Sequence, residues 1–329
     1  MTLATESLRE EILEGLAGNP PTLPPKLFYD DVGARLFEEI TTVPEYYPTR
    51  TELGILREHL PEMARRLGPE VVVVEFGSGS GRKTQLLLEA LEHPAAYIPV
   101  DIAREQLKAV AARMDRDFPA LRVLPLAADY TRPFQLPDPG PGSGPPLLFF
   151  PGSTVGNFEP PDAEAFLRQA RESMGPGAAL LMGVDLVKPG EVLEPAYDDA
   201  RGVTAAFNRN ALVNLNRLLG TDFVPEAFLH RAVWNAHASR IEMHLVADRE
   251  QVVRVPPGPG EAFPTRFLFR RGEHIVTEHS YKYTPAKVEA LTAAAGWQMV
   301  ESWTDPRGWF AVVLAVATPD QGSPPSSSR

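Results

Sequence analysis

A glycine cluster stands where a ligand can be held: Glu75-Phe76-Gly77-Ser78-Gly79-Ser80-Gly81 follows an apolar run and precedes a helical pattern. Glycines there let the backbone turn sharply and approach a ligand closely, in the crevice at the carboxyl ends of strands. A dinucleotide fingerprint, G-x-G-x-x-G, would need a glycine where Arg82 stands. The observed spacing suits a ligand without pyrophosphate, such as S-adenosylmethionine, with Gly77, Ser78 and Gly79 as contacts. A tight strand-to-helix turn without a ligand would use the same glycines.

Downstream residues extend the constellation. Asp101 closes the next apolar run, where a carboxylate can accept hydrogen bonds from both ribose hydroxyls; capping the following helix is the alternative. Asp129-Tyr130 ends the third run, where a carboxylate can accept from an adenine amino group. Lys83, one turn into the first helix, can pair with a ligand carboxylate or point into solvent. Asn157, in FFPGSTVGNF, lies beyond the fourth run, where an amide oxygen can orient an amine or serve a turn.

These residues need a scaffold, and the hydrophobic pattern supplies one. Helical patterns over Ser7 to Leu16 and Thr49 to Leu67 precede an alternation: strand Glu70 to Phe76, helix Arg82 to Leu91, strand Tyr97 to Val100, helix Arg104 to Asp115, strands Val123 to Leu126 and Leu147 to Phe150, helix Asp162 to Met174, strand Ala178 to Val184. Apolar strands alternating with helices predict a mostly parallel sheet covered on both faces. Asp162 is the expected N-cap of its helix. The alternation breaks over Lys188 to Tyr281, which reads as an inserted α+β region: one long helix over about Ala196 to Leu218, then strands Ser239 to Ala247, Thr265 to Arg270 and His274 to Tyr281. Helix Pro285 to Ala295 and strands Gln298 to Trp303 and Phe310 to Ala317 close the pattern, and QGSPPSSSR is expected to be disordered.

Composition narrows the function. The 43% hydrophobic content supports a buried core, and a net charge of -11 argues against nucleic acid or anionic lipid as partner. Without cysteine there is no disulfide, thiolate nucleophile or cysteine-ligated metal, and the seven histidines show no metal-ligand spacing, so no metal is expected. The N-terminus lacks a basic start followed by an apolar run, and no run approaches the roughly 18 apolar residues of a membrane span, so a cytoplasmic, non-membrane protein is expected.

Six stretches, KLFYDDVGARLFEEITTVPEYYPTRTE, VEFGSGSGRKT, FFPGSTVGNF, YDDARGVTAAFNRN, SRIEMHL and TEHSYKY, resemble the ergothioneine-pathway L-histidine Nα-methyltransferases over nearly the whole chain. The resemblance implies an α/β fold: a class I Rossmann-like methyltransferase core with a closing antiparallel hairpin, plus an inserted α+β substrate domain. Residues 1–51 and 188–281 would form the substrate domain, 52–187 and 282–318 the core, and 319–329 the tail. It implies S-adenosylmethionine as cofactor, at Gly77, Lys83, Asp101, Asp129 and Tyr130. Tyr47, Asn157 and Tyr197 would hold the amino-acid head group, Tyr29 would lie near the amine, and Met243, Glu278 and Ser280 would meet the imidazole. Asn157, Tyr47 and Tyr29 would serve the transfer itself, with histidine entering where the two domains meet.

The partners so implied are L-histidine and its mono- and dimethylated forms, with a monomeric enzyme. Taken singly, the same residues have plainer readings: Tyr47 in a packed aromatic turn, Tyr197 on a helix face with its hydroxyl exposed, Met243 as core filler, and Glu278, Ser280 and Lys282 on a solvent face. The connection PPGPGEAFPTRF is peculiar to this chain and leaves the strand register before Glu278 open. A methyltransferase for another aromatic amino acid and, more distantly, a nicotinamide oxidoreductase are the competing classes.

Overall fold

The computed structural model describes residues 3–77, 81–102, 104–130 and 132–318. Ser78 and Gly79 of the glycine turn, and the expected disordered tail, lie outside the described residues. In chain order come α1 (Leu3–Leu16), a 3-10 turn (Pro25–Phe28), α2 (Asp31–Ile40), α3 (Tyr47–Leu67), β1 (Val72–Phe76), α4 (Arg82–Ala90), β2 (Ala96–Asp101), α5 (Arg104–Asp117), β3 (Arg122–Val123), β4 (Leu126–Ala127), β5 (Pro146–Phe150), α6 (Pro160–Met174) and β6 (Ala179–Asp185). They are followed by α7 (Gly190–Tyr197), α8 (Val203–Leu219), β7 (Phe228–Asn235), β8 (Arg240–Ala247), β9 (Gln251–Val255), β10 (Thr265–Phe269), β11 (His274–Tyr281), α9 (Pro285–Ala294), β12 (Trp297–Thr304) and β13 (Phe310–Ala317).

The chain forms two compact units. One comprises Pro48–Val187 and the chain from Tyr283; the other comprises the chain up to Tyr47 with Lys188–Lys282. In the first, the sheet order is β12-β13-β6-β5-β1-β2-β3, with β4 also on β2. Strands β1 to β6 run parallel where they pair, and β13 enters antiparallel between β6 and β12. Every residue of β1 and β6 is buried, as the apolar runs require when helices cover both faces. On one face Val73, Tyr97, Phe149 and Leu181 pack with Leu56, Leu60 and Met63 of α3, Leu87 and Leu88 of α4 and Met114 of α5. On the other, Phe166 of α6 meets Phe150 and Phe76 at ring separations of 5.1 and 5.9 Å. The closing hairpin turns at Asp305, whose carboxylate accepts from the backbone N–H groups of Arg307, Trp309 and Phe310.

The second unit is built on the antiparallel sheet β11-β8-β7 and the hairpin β9-β10. Asparagines of α8 tie the N-terminal segment to it: Asn210 donates to the Asp30 carboxylate, which also caps α2 at Gly33, and Asn214 donates to the Leu27 carbonyl. These bonds fix α2, a helix the sequence reading did not anticipate although Val32, Leu36, Phe37 and Ile40 recur at helical spacing after the N-cap Asp30.

The structure differs from the pattern reading at several points. The single helix expected over Ala196 to Leu218 is two, α7 and α8. The break falls where Asp199 turns its carboxylate onto the N–H groups of Val203 and Thr204, with Gly202 at φ 72. Asp162 is not an N-cap, because Pro160 and Pro161 occupy the first helical turn of α6 and the cap position falls on Glu159. The third strand is two short pairings, β3 and β4. Strands β7 and β9 were not anticipated; in Phe228–Asn235 the apolar Leu229 and Val233 are exposed while His230 is buried, so the apolar-in, polar-out alternation of a half-buried strand is broken.

Candidate active site

The cofactor residues expected from the glycine turn lie in the first unit. Gly77 follows β1 with φ 67, a left-handed conformation, and an added Cβ there would meet nothing within 4 Å. Its N–H donates to the Val100 carbonyl at 3.0 Å, which lays the turn beside the end of β2 and the half-buried Asp101. Tyr130 stacks on Phe76 at 5.2 Å with the rings nearly parallel, and burial together with the negative charges of Asp101 and Asp129 raises its phenol pKa. The geometry therefore gathers Gly77, Asp101, Asp129 and Tyr130 around the ends of β1 and β2. Asp129 itself is exposed and pairs with Arg132 at 3.6 Å.

Lys83, on the first turn of α4, pairs with Glu52 of α3. The Glu52 carboxylate, 1% exposed, also accepts the Gly152 N–H through both oxygens at 3.0 Å. Glu52 was not anticipated from the sequence; a glutamate on an apolar helix face ahead of a glycine turn was the available signal. Asn157 ends a short 3-10 turn (Thr154–Asn157) after β5, and its half-buried side chain makes no hydrogen bond to another described residue.

The other residues expected to read an amino acid lie in the second unit, whereas Asn157 lies in the first. Tyr47 is 1% exposed and its hydroxyl oxygen accepts from Lys188 Nζ at 2.7 Å. Tyr197, at the end of α7, accepts from Lys282 Nζ at 2.7 Å and lies 2.8 Å from Ser280 Oγ, which also accepts from Lys282 at 2.8 Å. Tyr46 meets the Tyr197 ring edge-on at 6.1 Å. Tyr29, 48% exposed, meets the rings of Phe37 and Phe207 edge-on. An ammonium can only donate, so each lysine fixes its tyrosine oxygen as acceptor and turns the phenol hydrogen toward a different acceptor. Lys188 and Lys282 were not anticipated as site residues, and Lys282 is 1% exposed rather than solvated.

Glu278 is the unusual member. It sits opposite Met243 in the β11-β8 pairing, and both are buried, as is Ser280; none of the three lies on a solvent face. Its carboxylate accepts no hydrogen bond from a described residue. Burial pushes its pKa up to about 7, against the opposing pull of Lys282. A buried carboxylate without a donor costs free energy unless something else satisfies it. An imidazole N–H is a donor of the right kind.

The sequence model of the family described as "Histidine-specific methyltransferase, SAM-dependent" matches residues 8–317. The histidine N-alpha-methyltransferase of Mycolicibacterium smegmatis is 42% identical over 95% of this chain and 96% of its own length. The ergothioneine biosynthesis protein 1 of Neurospora crassa is 32% identical over 87% of this chain and 32% of its own. A 4-dimethylallyltryptophan N-methyltransferase of Epichloe festucae var. lolii is 29% identical over 91% and 92%. The chain belongs to the family of histidine-specific, S-adenosylmethionine-dependent methyltransferases.

Proposed function

We propose that this enzyme methylates the α-amino nitrogen of L-histidine three times, giving the betaine hercynine, as the first step of ergothioneine biosynthesis. Histidine methylation in that pathway accords with the family and with the mycobacterial and fungal relatives. The observation that carries the choice of histidine is Glu278: a buried carboxylate with no donor among the described residues, two places along one strand from Ser280 and opposite Met243.

The residues present fit the cofactor. An open left-handed turn at Gly77, backbone-bonded beside Asp101, suits an adenosine whose ribose hydroxyls need a charged acceptor. Gly77, Ser78, Gly79, Lys83, Asp101, Asp129 and Tyr130 would hold it. Bound S-adenosylmethionine supplies a methyl group on a positively charged sulfur, a leaving group that needs no acid. The chain's own task is therefore alignment and proton handling.

Tyr47 and Tyr197, their oxygens committed to Lys188 and Lys282, present phenol hydrogens to the substrate carboxylate. Asn157 offers its amide oxygen to the amine and orients the lone pair. The α-nitrogen must lose a proton before each transfer; solvent takes it, helped by a tyrosine hydroxyl, Tyr29 or Tyr47, of which Tyr29 is nearly half exposed. Glu278 accepts one imidazole N–H; Ser280, whose hydrogen goes to the Tyr197 oxygen so that the Tyr197 phenol hydrogen turns to the substrate, accepts from the other ring N–H, and Met243 limits ring size. After the third transfer the nitrogen has no lone pair and the reaction ends.

The partners are small molecules, and a cytoplasmic monomer is part of this reading. Among the described residues no helix is long and apolar enough to cross a membrane. The test is mass spectrometry of products formed from a mixture of the twenty amino acids with S-adenosylmethionine. Histidine should gain up to three methyl groups ahead of all others, and preferential methylation of tryptophan, phenylalanine or tyrosine would overturn the choice of substrate.

A further inference from the structure

The strand that carries Glu278 and Ser280 is irregular just before them. Up to Val276 the pairing is regular, with Ile275 opposite Leu245 and Val276 opposite His244. Glu278 then stands opposite Met243, so Thr277 is an extra residue, a β-bulge. Residues directly opposite each other project from the same face, and successive residues alternate. The bulge therefore changes the parity of the strand. Ile275 before it, and Glu278 and Ser280 after it, share the face of Ile241, Met243 and Leu245, all 2% exposed or less. In a regular strand Glu278 and Ser280 would project from the opposite face, with His274 and Val276.

The bulge is held by groups far away in sequence. Thr277 Oγ1 lies 2.7 Å from Asn208 Oδ1 and 3.0 Å from the Met243 carbonyl. Asn208, fully buried on α8, lies within FNRN at the end of one of the stretches that carry the family resemblance. Its Nδ2 donates to the His244 carbonyl at 3.2 Å and contacts His230 Nδ1 at 2.8 Å. A carbonyl only accepts, so the amide orientation is fixed, and the second Nδ2 hydrogen must go to His230 Nδ1. That nitrogen carries no proton, and His230 Nε2–H donates to the Tyr197 carbonyl at 2.7 Å. On the other edge of the strand, Val276 exchanges backbone bonds with Pro21 and Leu23. One satisfied polar chain thus runs from the backbone of Tyr197 to the residue that re-aims Glu278.

We propose that Thr277 and Asn208 are specificity-determining positioning residues: their hydrogen bond pins the bulge that brings Glu278 and Ser280 onto the face shared with Met243. The inference rests on the reading that Glu278 and Ser280 meet the imidazole. His230 completes the chain as a neutral ring, a state that burial favours. None of the three touches substrate; they act through Glu278, Ser280 and Tyr197.

The experiment compares kcat and KM for histidine and phenylalanine in wild type, Thr277→Val, Thr277→Ser, Asn208→Ala and Glu278→Gln, with S-adenosylhomocysteine affinity measured by calorimetry. Valine removes the hydroxyl at nearly constant volume and should raise the histidine KM at least about fivefold and lower the histidine preference by at least about fivefold, because the carboxylate is no longer aimed. S-adenosylhomocysteine affinity should stay within about twofold, and Thr277→Ser, which keeps the hydroxyl, should restore the preference. A loss of folded protein alone would lower kcat for both substrates without changing their ratio. Asn208→Ala removes the other end of the bond and should shift the ratio in the same direction, which decides the matter if Thr277→Val does not fold. A wild-type ratio in Thr277→Val or Asn208→Ala, alongside a collapsed ratio in Glu278→Gln, overturns this inference alone. An unchanged ratio in Glu278→Gln overturns the reading of Glu278 beneath it.

Discussion

Glu75 in the unit built on the large sheet and Glu278 in the other are both carboxylates whose burial pushes their pKa up to about 7. Their surroundings differ. Glu75 accepts from Thr84 Oγ1 at 2.7 Å and from the Tyr97 hydroxyl at 2.5 Å, which joins β1, α4 and β2 beneath the glycine turn. Glu278 has no such donor among the described residues. The same burial therefore accompanies two surroundings: a carboxylate with its donors in place braces the scaffold, whereas one without them keeps acceptor capacity that the proposed function assigns to the substrate.

The difference is sharpest in substitution. Glu278→Gln should cut kcat/KM for histidine by at least about tenfold, since a charge-assisted hydrogen bond contributes roughly 1.5 to 3 kcal/mol, and should erode the preference over phenylalanine and tryptophan. Glu75→Gln should leave that preference intact and lower stability instead. Steady-state kinetics with three amino acids, paired with urea titration, separates the two; a selectivity change in Glu75→Gln would dissolve the distinction.

Stability against pH tests the shared feature. A carboxyl whose folded pKa exceeds its unfolded value binds its proton more tightly when folded, so its contribution is complete below about pH 4 and is lost as pH rises toward 7. Relative to wild type, Glu278→Gln should gain stability across that window by up to about 3 kcal/mol. Urea titrations from pH 5 to 8 read this directly, and a pH-independent difference would mean that Glu278 is not buried as an acid.

Asp101→Ala should weaken S-adenosylhomocysteine binding by about tenfold, since two ribose hydroxyls lose a charged acceptor, while leaving the preference among amino acids unchanged. An affinity within twofold of wild type would take the cofactor away from β2. The smallest effect belongs to Asp129, which is exposed and paired with Arg132. Solvent already competes for its oxygens, and Asp129→Asn should change cofactor affinity by no more than about threefold by calorimetry. A tenfold loss would make Asp129 a principal adenine contact.

The sequence by itself determined the alternation of apolar strands and helices, the glycine turn after β1 and the carboxylates at the ends of the next strands. Those signals are local: an apolar run, a turn residue and a strand end are written in adjacent positions, and motif order carries them without knowledge of distant contacts. Periodicity also placed Glu278 and Ser280 two apart on one strand. It left open which face they use, because face depends on the parity set by the Thr277 bulge. Only the tertiary structure gave Tyr47 its partner Lys188, 141 positions away, and Tyr197 its partner Lys282, 85 positions away. It also decided that the stretch from Gly190 to Leu219 is two helices. Buried lysines, paired glutamates and re-aimed strands depend on groups that folding brings from elsewhere to satisfy each charge and donor, and no local pattern encodes those distances.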